Sequence, residues 1–124
     1  MSRTAIVQIL SNPSFPDLKL DYASTFLEKF SGLMFRKIIR ENEGLILSDQ
    51  SESRINTAIH MFFMNFDIGV IWIDSSLTVV DKKYAKRWHP FYIPRRAAQY
   101  TVELHPSMLK HFSIGDQIAL SIES

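Results

Sequence analysis

Six cations crowd the stretch from Lys82 to Arg96, and no acid interrupts them. Lys82, Lys83, Lys86, Arg87, Arg95 and Arg96 are interleaved with the rings of Tyr84, Trp88, Phe91 and Tyr92. Cations that follow phosphates, beside rings that stack on bases, suit single-stranded nucleic acid. The same residues could instead wall a small-ligand cleft. Trp88 and Phe91 would form its sides, and Arg87, Arg95 or Arg96 would catch an acid group. A solvated loop is the bland alternative, with rings folded onto the sheet and cations in water. Arg36 offers a further fork for carboxylate or phosphate. Its alternative is an internal pair with Asp21 or Glu43. His60-Met61-x-x-Met64 invites a metal reading. In an extended chain, however, His60 and Met64 stand about 13 Å apart, and Met61 points to the other face. The methionines read as core filler. His89, His105 and His111 are scattered, so no metal is expected. Hydrolytic chemistry would have to use Asp67, His60 or Glu103. No GxSxG elbow supports it. Four glycines, none clustered, make no phosphate-cradling loop. Glu103 reads either as an outward-facing polar residue or as a buried partner of an arginine.

The chain that must position these groups has 124 residues, enough for one domain with a real core. Hydrophobic residues are 46% and charged residues 22%, as in an ordinary folded domain. With no cysteine, disulfides, thiolate zinc sites, iron–sulfur clusters and cysteine nucleophiles are excluded. The net charge of +1 hides an asymmetry. Residues 1–81 carry seven Lys/Arg and ten Asp/Glu, whereas residues 82–124 carry seven and three. Ten acids in the first part weigh against a polyanion. The longest mostly apolar uncharged run, 58–66, is too short to span a bilayer. The first ten residues lack the apolar length and cleavage site of a signal peptide. The expectation is a cytoplasmic protein that does not enter a membrane.

Alternation predicts an opening strand up to Leu10 and a short strand over 18–22. Ala23, Phe26, Leu27, Phe30, Leu33 and Met34 then fall at helical spacing. Thr25 with Glu28 resembles a capping box, and Gly32 resembles a helix stop. This predicts one short helix near residues 24–31. Leu45-Ile46-Leu47 reads as a short buried strand, and 48–54 as a polar loop. Residues 58–66 read as an aromatic, methionine-rich strand with Phe62 and Phe63 in the core. Ile68 to Ile73 is a further strand. Asp74-Ser75-Ser76 is a turn, and 77–80 is its hairpin partner. Pro90 and Pro94 make the second half of the basic segment irregular. Strands follow at 98–104 and 117–122, separated by one helical turn over 106–112. The sum is a mainly β chain of seven or eight short strands with one short α-helix. It predicts a single β-rich domain over 1–124, a small sandwich or barrel of jelly-roll type.

These elements carry a resemblance. Phe30-Ser31-Gly32-Leu33-Met34-Phe35-Arg36 resembles the GLMFR signature of the domain of unknown function 192 family. Glu43 to Leu47, Ile59 to Phe66 with the run to Asp74, Ala98 to Leu104, and Gly115-Asp116 resemble its later motifs in order. The resemblance extends from about Leu18 onward. It implies a compact, mostly β domain of sandwich or jelly-roll type, and it implies no activity. Two positions depart from the pattern. Phe66-Asp67-Ile68-Gly69 stands where relatives usually read phenylalanine-proline-isoleucine-aspartate. His105-Pro106 replaces a small pair.

The leading functional expectation is a non-enzymatic β domain that binds a small ligand or protein partner. Its candidate ligand-binding residues are Arg36, His60, Arg87, Trp88, Arg95 and Arg96. The alternative is a single-stranded nucleic-acid-binding module through residues 82–96. The weakest is a hydrolase-like enzyme, and nothing in the residues names a catalytic group for it. No cofactor is expected.

Overall fold

The computed structural model describes residues 3–24, 33 and 36–123. Its elements are β1 (Arg3–Ile9), β2 (Leu18–Ala23), β3 (Gly44–Ser53), β4 (Ile68–Ile73), β5 (Val79–Ala85) and β6 (Ala98–Leu104). A 3-10 turn, Pro106–His111, and β7 (Ile118–Glu123) complete the chain. The strands form one seven-stranded sheet in the order β5-β4-β6-β3-β2-β1-β7. Only β2 and β3 pair in parallel; the other neighbours are antiparallel. A parallel pair needs a crossover, and residues 24–43 supply it.

The two outermost strands meet at one end. Thr78 bridges Gln117. The Ile118 N–H donates to the Leu77 carbonyl at 2.8 Å, and the Val79 N–H donates to Asp116 at 2.9 Å. The sheet is thereby drawn into a barrel-like curl around a core to which every strand contributes. Val7 and Ile9, Leu20, Ile46, Ile71, Val79, Val102 and Ile118 fill it, and Met108 and Phe112 of the 3-10 turn region close it. This is the mainly β, sandwich-or-barrel domain that alternation predicts.

A second core lies on the other face. Ile68, Val70 and Trp72 of β4 pack there with Leu33, Ile39, Ile59, Met61 and Met64 from the connections. Every residue of β4 is therefore buried. The indole of Trp72 donates to the Thr57 carbonyl at 2.7 Å, so the deepest ring of this layer keeps its polar atom satisfied.

Several expectations need correcting. Residues 58–66 are not a strand. They form a loop whose one ladder pairing is the isolated bridge Ile59–Tyr92. Ile59, Met61 and Met64 point inward, while Phe62 and Phe63 stand 42% and 46% exposed. An unbroken apolar run gives no phase, so alternation could not tell the two faces apart. The polar stretch after Leu47 is not a loop but the second half of β3, with a register break between Ser48 and Ser53. The hairpin partner of β4 starts at Val79, not Leu77, and runs on to Ala85, so the basic segment begins as a strand. The helix expected over 24–31 lies, beyond Ser24, outside the described residues.

Substitutions should separate the two sides of the 58–66 loop. Met61→Ala should cost about 2–5 kcal/mol, because Met61 fills the outer core. Phe62→Ala should cost less than about 1 kcal/mol. Urea unfolding of both variants checks this, and equal losses would contradict the assignment of faces.

Candidate functional site

An open cleft of about 470 Å³ lies where β4 begins, β5 and β6 end and the crossover returns. Its walls include Lys37, Asn65, Asp67, Tyr84, Arg87 and His105, with Ile38, Ile39, Phe66 and Pro106 between them. Asp67 organises one wall. It follows directly from the 58–66 loop, just before β4. It accepts from the Arg87 backbone N–H at 2.9 Å and from the Tyr84 hydroxyl at 2.8 Å. The Arg87 guanidinium Nε stands 3.6 Å away. The Arg87 backbone N–H, with help from Tyr84 and the guanidinium, holds the Asp67 carboxyl below its usual value. The same bond raises Tyr84.

The opposite wall is the start of the 3-10 turn. His105 caps it, its Nδ1 accepting from the Ser107 N–H at 3.1 Å. In the neutral ring this leaves the proton on Nε2. Ser107 Oγ lies 2.8 Å from His105 Nδ1 and donates to Glu41 at 2.8 Å. Gly69 fits under this turn. A Cβ there would stand 2.8 Å from Leu109 Cγ and 3.5 Å from the His105 carbonyl. A side chain at this position would require the Leu109 side chain to shift.

Arg36 lies beside the cleft, not in its lining. Its guanidinium pairs with Glu43, one of the two acids that the sequence offered. The pairing, led by that hydrogen bond, lowers the Glu43 pKa. The Arg36 carbonyl accepts from Asn65 Nδ2 at 2.8 Å, which ties the crossover to the 58–66 loop.

A different surface gathers the aromatic residues. Loops 58–66 and 86–93 are held together by four backbone hydrogen bonds. Two link Ile59 with Tyr92 at 2.9 Å, one runs from Met61 to His89 at 3.0 Å, and one from Trp88 to Met61 at 2.7 Å. Trp88 and Phe91 are 53% and 63% exposed. The Phe63 and Trp88 rings meet edge to face at 5.4 Å. Both residues have φ of +63°, a conformation that bulky residues rarely adopt. His60, exposed, tilts against Phe62 at 5.6 Å.

The candidate residues therefore divide. Arg87 lines the cleft, with Arg36 behind it. Trp88 and His60 belong to the aromatic face. Arg95 turns to Asp81, which is 2% exposed. Asp81 accepts from the Arg95 backbone N–H at 2.9 Å, with the Arg95 Nε 3.6 Å away. Arg96 is exposed, and no described residue pairs with it. Sequence reasoning missed Lys37, Asn65 and His105 as cleft residues, and Asp81 as an internal counter-ion. His105 carried a legible signal, since it immediately precedes Pro106 where a capping residue belongs. No group of three metal-ligating side chains occurs among the described residues, and no helix of theirs is long and apolar enough to cross a membrane.

Glu103 sits in mid-strand on β6, opposite Leu45 and Val70. No described side chain donates to it. It retains partial solvent access, yet burial pushes its pKa up to about 7.

Comparison with known proteins follows the same outline. The family model with the description "Uncharacterized ACR, COG1430", DUF192, matches residues 7–120. A UPF0127 protein of Thermococcus kodakarensis is 45% identical over 103 residues, covering 82% of this chain and 64% of that protein. The chain thus spans less than two thirds of that relative's length. A UPF0127 protein of Thermococcus gammatolerans is 39% identical over 105 residues, 83% of this chain and 67% of that one. A crystal structure of a "putative transcription regulator" from Sinorhizobium meliloti superposes with a TM-score of 0.81. It is 18% identical, and the match covers 96% of this chain and 93% of that one. A protein of unknown function from Novosphingobium aromaticivorans gives 0.75 at 16% identity, covering 94% and 83%. At such identities the two structures share the fold alone.

Glu103 makes stability depend on pH. The unfolded carboxyl loses its proton near 4.5, and the folded one near 7. Stability should fall as pH rises through that window and then level off. At 1.36 kcal/mol per unit, and with solvent access moderating the effect, the loss should be about 1–3 kcal/mol. Glu103→Gln should remove this slope. Urea midpoints of both proteins between pH 4.5 and 8 test it, and a constant difference would refute it.

Proposed function

This chain belongs to the uncharacterized DUF192 family, and from that premise we propose that it is a non-enzymatic binding domain holding a small, acid-bearing ligand in the cleft beside Asp67. One observation carries the reading. The cleft presents Lys37, Arg87 and His105 as donors, while its one acid, Asp67, already accepts two hydrogen bonds. What remains unsatisfied at the rim is positive or proton-donating. Ile38, Ile39, Phe66 and Pro106 supply an apolar floor. A few polar groups over apolar walls, in a cleft of this size, are the ordinary composition of a small-molecule site. Asp67 acts on the ligand only through Arg87 and Tyr84, which it orients.

An acid and a histidine do share this cleft, as an enzyme would need. Their hydrogen bonds support binding rather than catalysis. Asp67 is held anionic by its donors, which makes it a poor base. His105 Nδ1 is occupied in capping the 3-10 turn. Ser107 Oγ donates to Glu41, so it is not the activated nucleophile of an acid–histidine–serine relay. The compartment in this reading is the cytoplasm.

The test uses sodium hexanoate and benzoate as probes, with hexanol as the neutral control. The carboxylates should shift the amide NMR signals of Asn65, Asp67, Arg87 and His105, and hexanol should not. Arg87→Ala and Lys37→Ala should each weaken carboxylate binding roughly tenfold, the worth of a charge-assisted hydrogen bond. Equal shifts by hexanol, or shifts confined to other strands, would overturn the proposal.

A further inference from the structure

We infer that the face built from Phe62, Phe63, Trp88 and Phe91 stacks the bases of a single-stranded nucleic acid, with Lys83, Lys86 and Arg96 contacting its phosphates. This surface is separate from the cleft, and it has four properties that suit such a strand.

The rings reach solvent. Phe62, Phe63, Trp88 and Phe91 are all at least 42% exposed, on two loops that lie side by side. They did not fold back onto the sheet, which is what a plain solvated loop would have shown.

The rings are also preorganised. Four backbone hydrogen bonds staple the loops. Ile59, Met61 and Met64 anchor the first loop in the outer core. Phe63 and Trp88 both hold positive φ while their rings touch. Bulky residues adopt that conformation at a cost, and such strain concentrates at functional surfaces. A ring already fixed in place loses little freedom when a base stacks on it.

The cations are sorted. Lys82 donates to the Leu109 and Phe112 carbonyls at 3.1 and 2.7 Å. Arg87 and Arg95 lie against Asp67 and Asp81. Lys83, Lys86 and Arg96 are exposed, and no described residue forms a hydrogen bond or ion pair with their side chains, though Lys86 feels Asp67 at longer range. The two acids bonded to this segment, Asp67 and Asp81, are thus matched within the fold. The charge that remains on the segment is positive.

The alternatives fit less well. A duplex hides its base faces, whereas unpaired bases can splay onto protruding rings. A second copy of this chain could cover the rings. A two-fold contact would then set the three unpaired cations of each copy near those of the other, and like charges disfavour that interface.

The experiment is a fluorescence-anisotropy titration of the full chain with labelled uridine and deoxythymidine decamers at two salt concentrations. Both decamers should bind at ~50 mM salt, because stacking tolerates any base. Three phosphate contacts give a log–log salt slope of about −2. Trp88→Ala should weaken binding roughly 5- to 150-fold, the range of one lost stacking platform. Phe91→Ala should do the same and serves in its place if Trp88→Ala fails to fold. Lys86→Ala with Arg96→Ala should flatten the slope by more than half. Ile122→Ala, an exposed apolar residue on β7, should change nothing. No binding at ~50 mM salt would overturn the inference. So would binding that is indifferent to both ring substitutions. Concentration-dependent dimerisation abolished by Trp88→Ala, without oligonucleotide binding, would assign the face to a second copy instead.

Discussion

Burial of β4 on both faces is the constraint on which the rest of this molecule depends. A strand flanked by β5 and β6 that carries Ile, Val, Ile, Trp and Ile in sequence cannot leave either face in water. The curled sheet covers one face. The other must be covered by connections, because no further strand among the described residues does so. The crossover brings Leu33 and Ile39, and the 58–66 loop brings Ile59, Met61 and Met64. Both features that could bind a ligand follow. A loop whose methionines are drawn inward must turn Phe62 and Phe63 outward. A crossover pulled down over β4 must leave a cleft where it rejoins the sheet, beside Asn65 and Asp67.

Internal electrostatics then determine what those surfaces offer. The basic segment places six cations in fifteen residues, and the fold uses half of them for its own cohesion. Lys82 holds two carbonyls at the end of the 3-10 turn. Asp81 is almost wholly buried and takes the backbone N–H groups of Lys82 and Arg95. A buried carboxylate is tolerable when donors surround it, so this residue fixes how the chain leaves β5 and returns before β6. Asp67 does the equivalent at the cleft. Neither acid marks a site by itself, but together they decide which cations remain available.

Much of this architecture was legible because period-two alternation is a strong signal where one face is wet. It placed β1, β2 and β6 and, with Asp74-Ser75-Ser76, the β4–β5 turn. There Asp74 accepts from the Ser76 and Thr78 N–H groups, both at 3.0 Å. Where the signal has no phase, the reading failed. Residues 58–66 are apolar throughout, so their direction is set by the outer core and not by local pattern. Ser48 to Ser53 is polar throughout because that half of β3 runs past the edge of both cores, and hydrophobicity could not report a strand there. The cleft was harder still. Arg87 was visible in the basic segment, but Lys37, Asn65 and His105 come from distant stretches that only the crossover and the 3-10 turn bring together.

Gly69 and Asp67 show how position along a strand decides what a side chain can reach. An acid at that position would project toward Leu109, with Cγ only 2.8 Å from the new Cβ. The contact is with the leucine side chain, which would have to shift beside a 3-10 turn that His105 caps and Lys82 holds through two carbonyls. Asp67 stands two residues earlier, just outside β4. Backbone amides and a tyrosine hydroxyl can reach it there, and it can align an arginine. A side chain inside the strand would be confined beneath the turn, whereas one at the strand's entrance faces the cleft. Leu109 packed over Gly69 crowds the interior position, and the rim is where a carboxylate meets the donors of Arg87 and Tyr84.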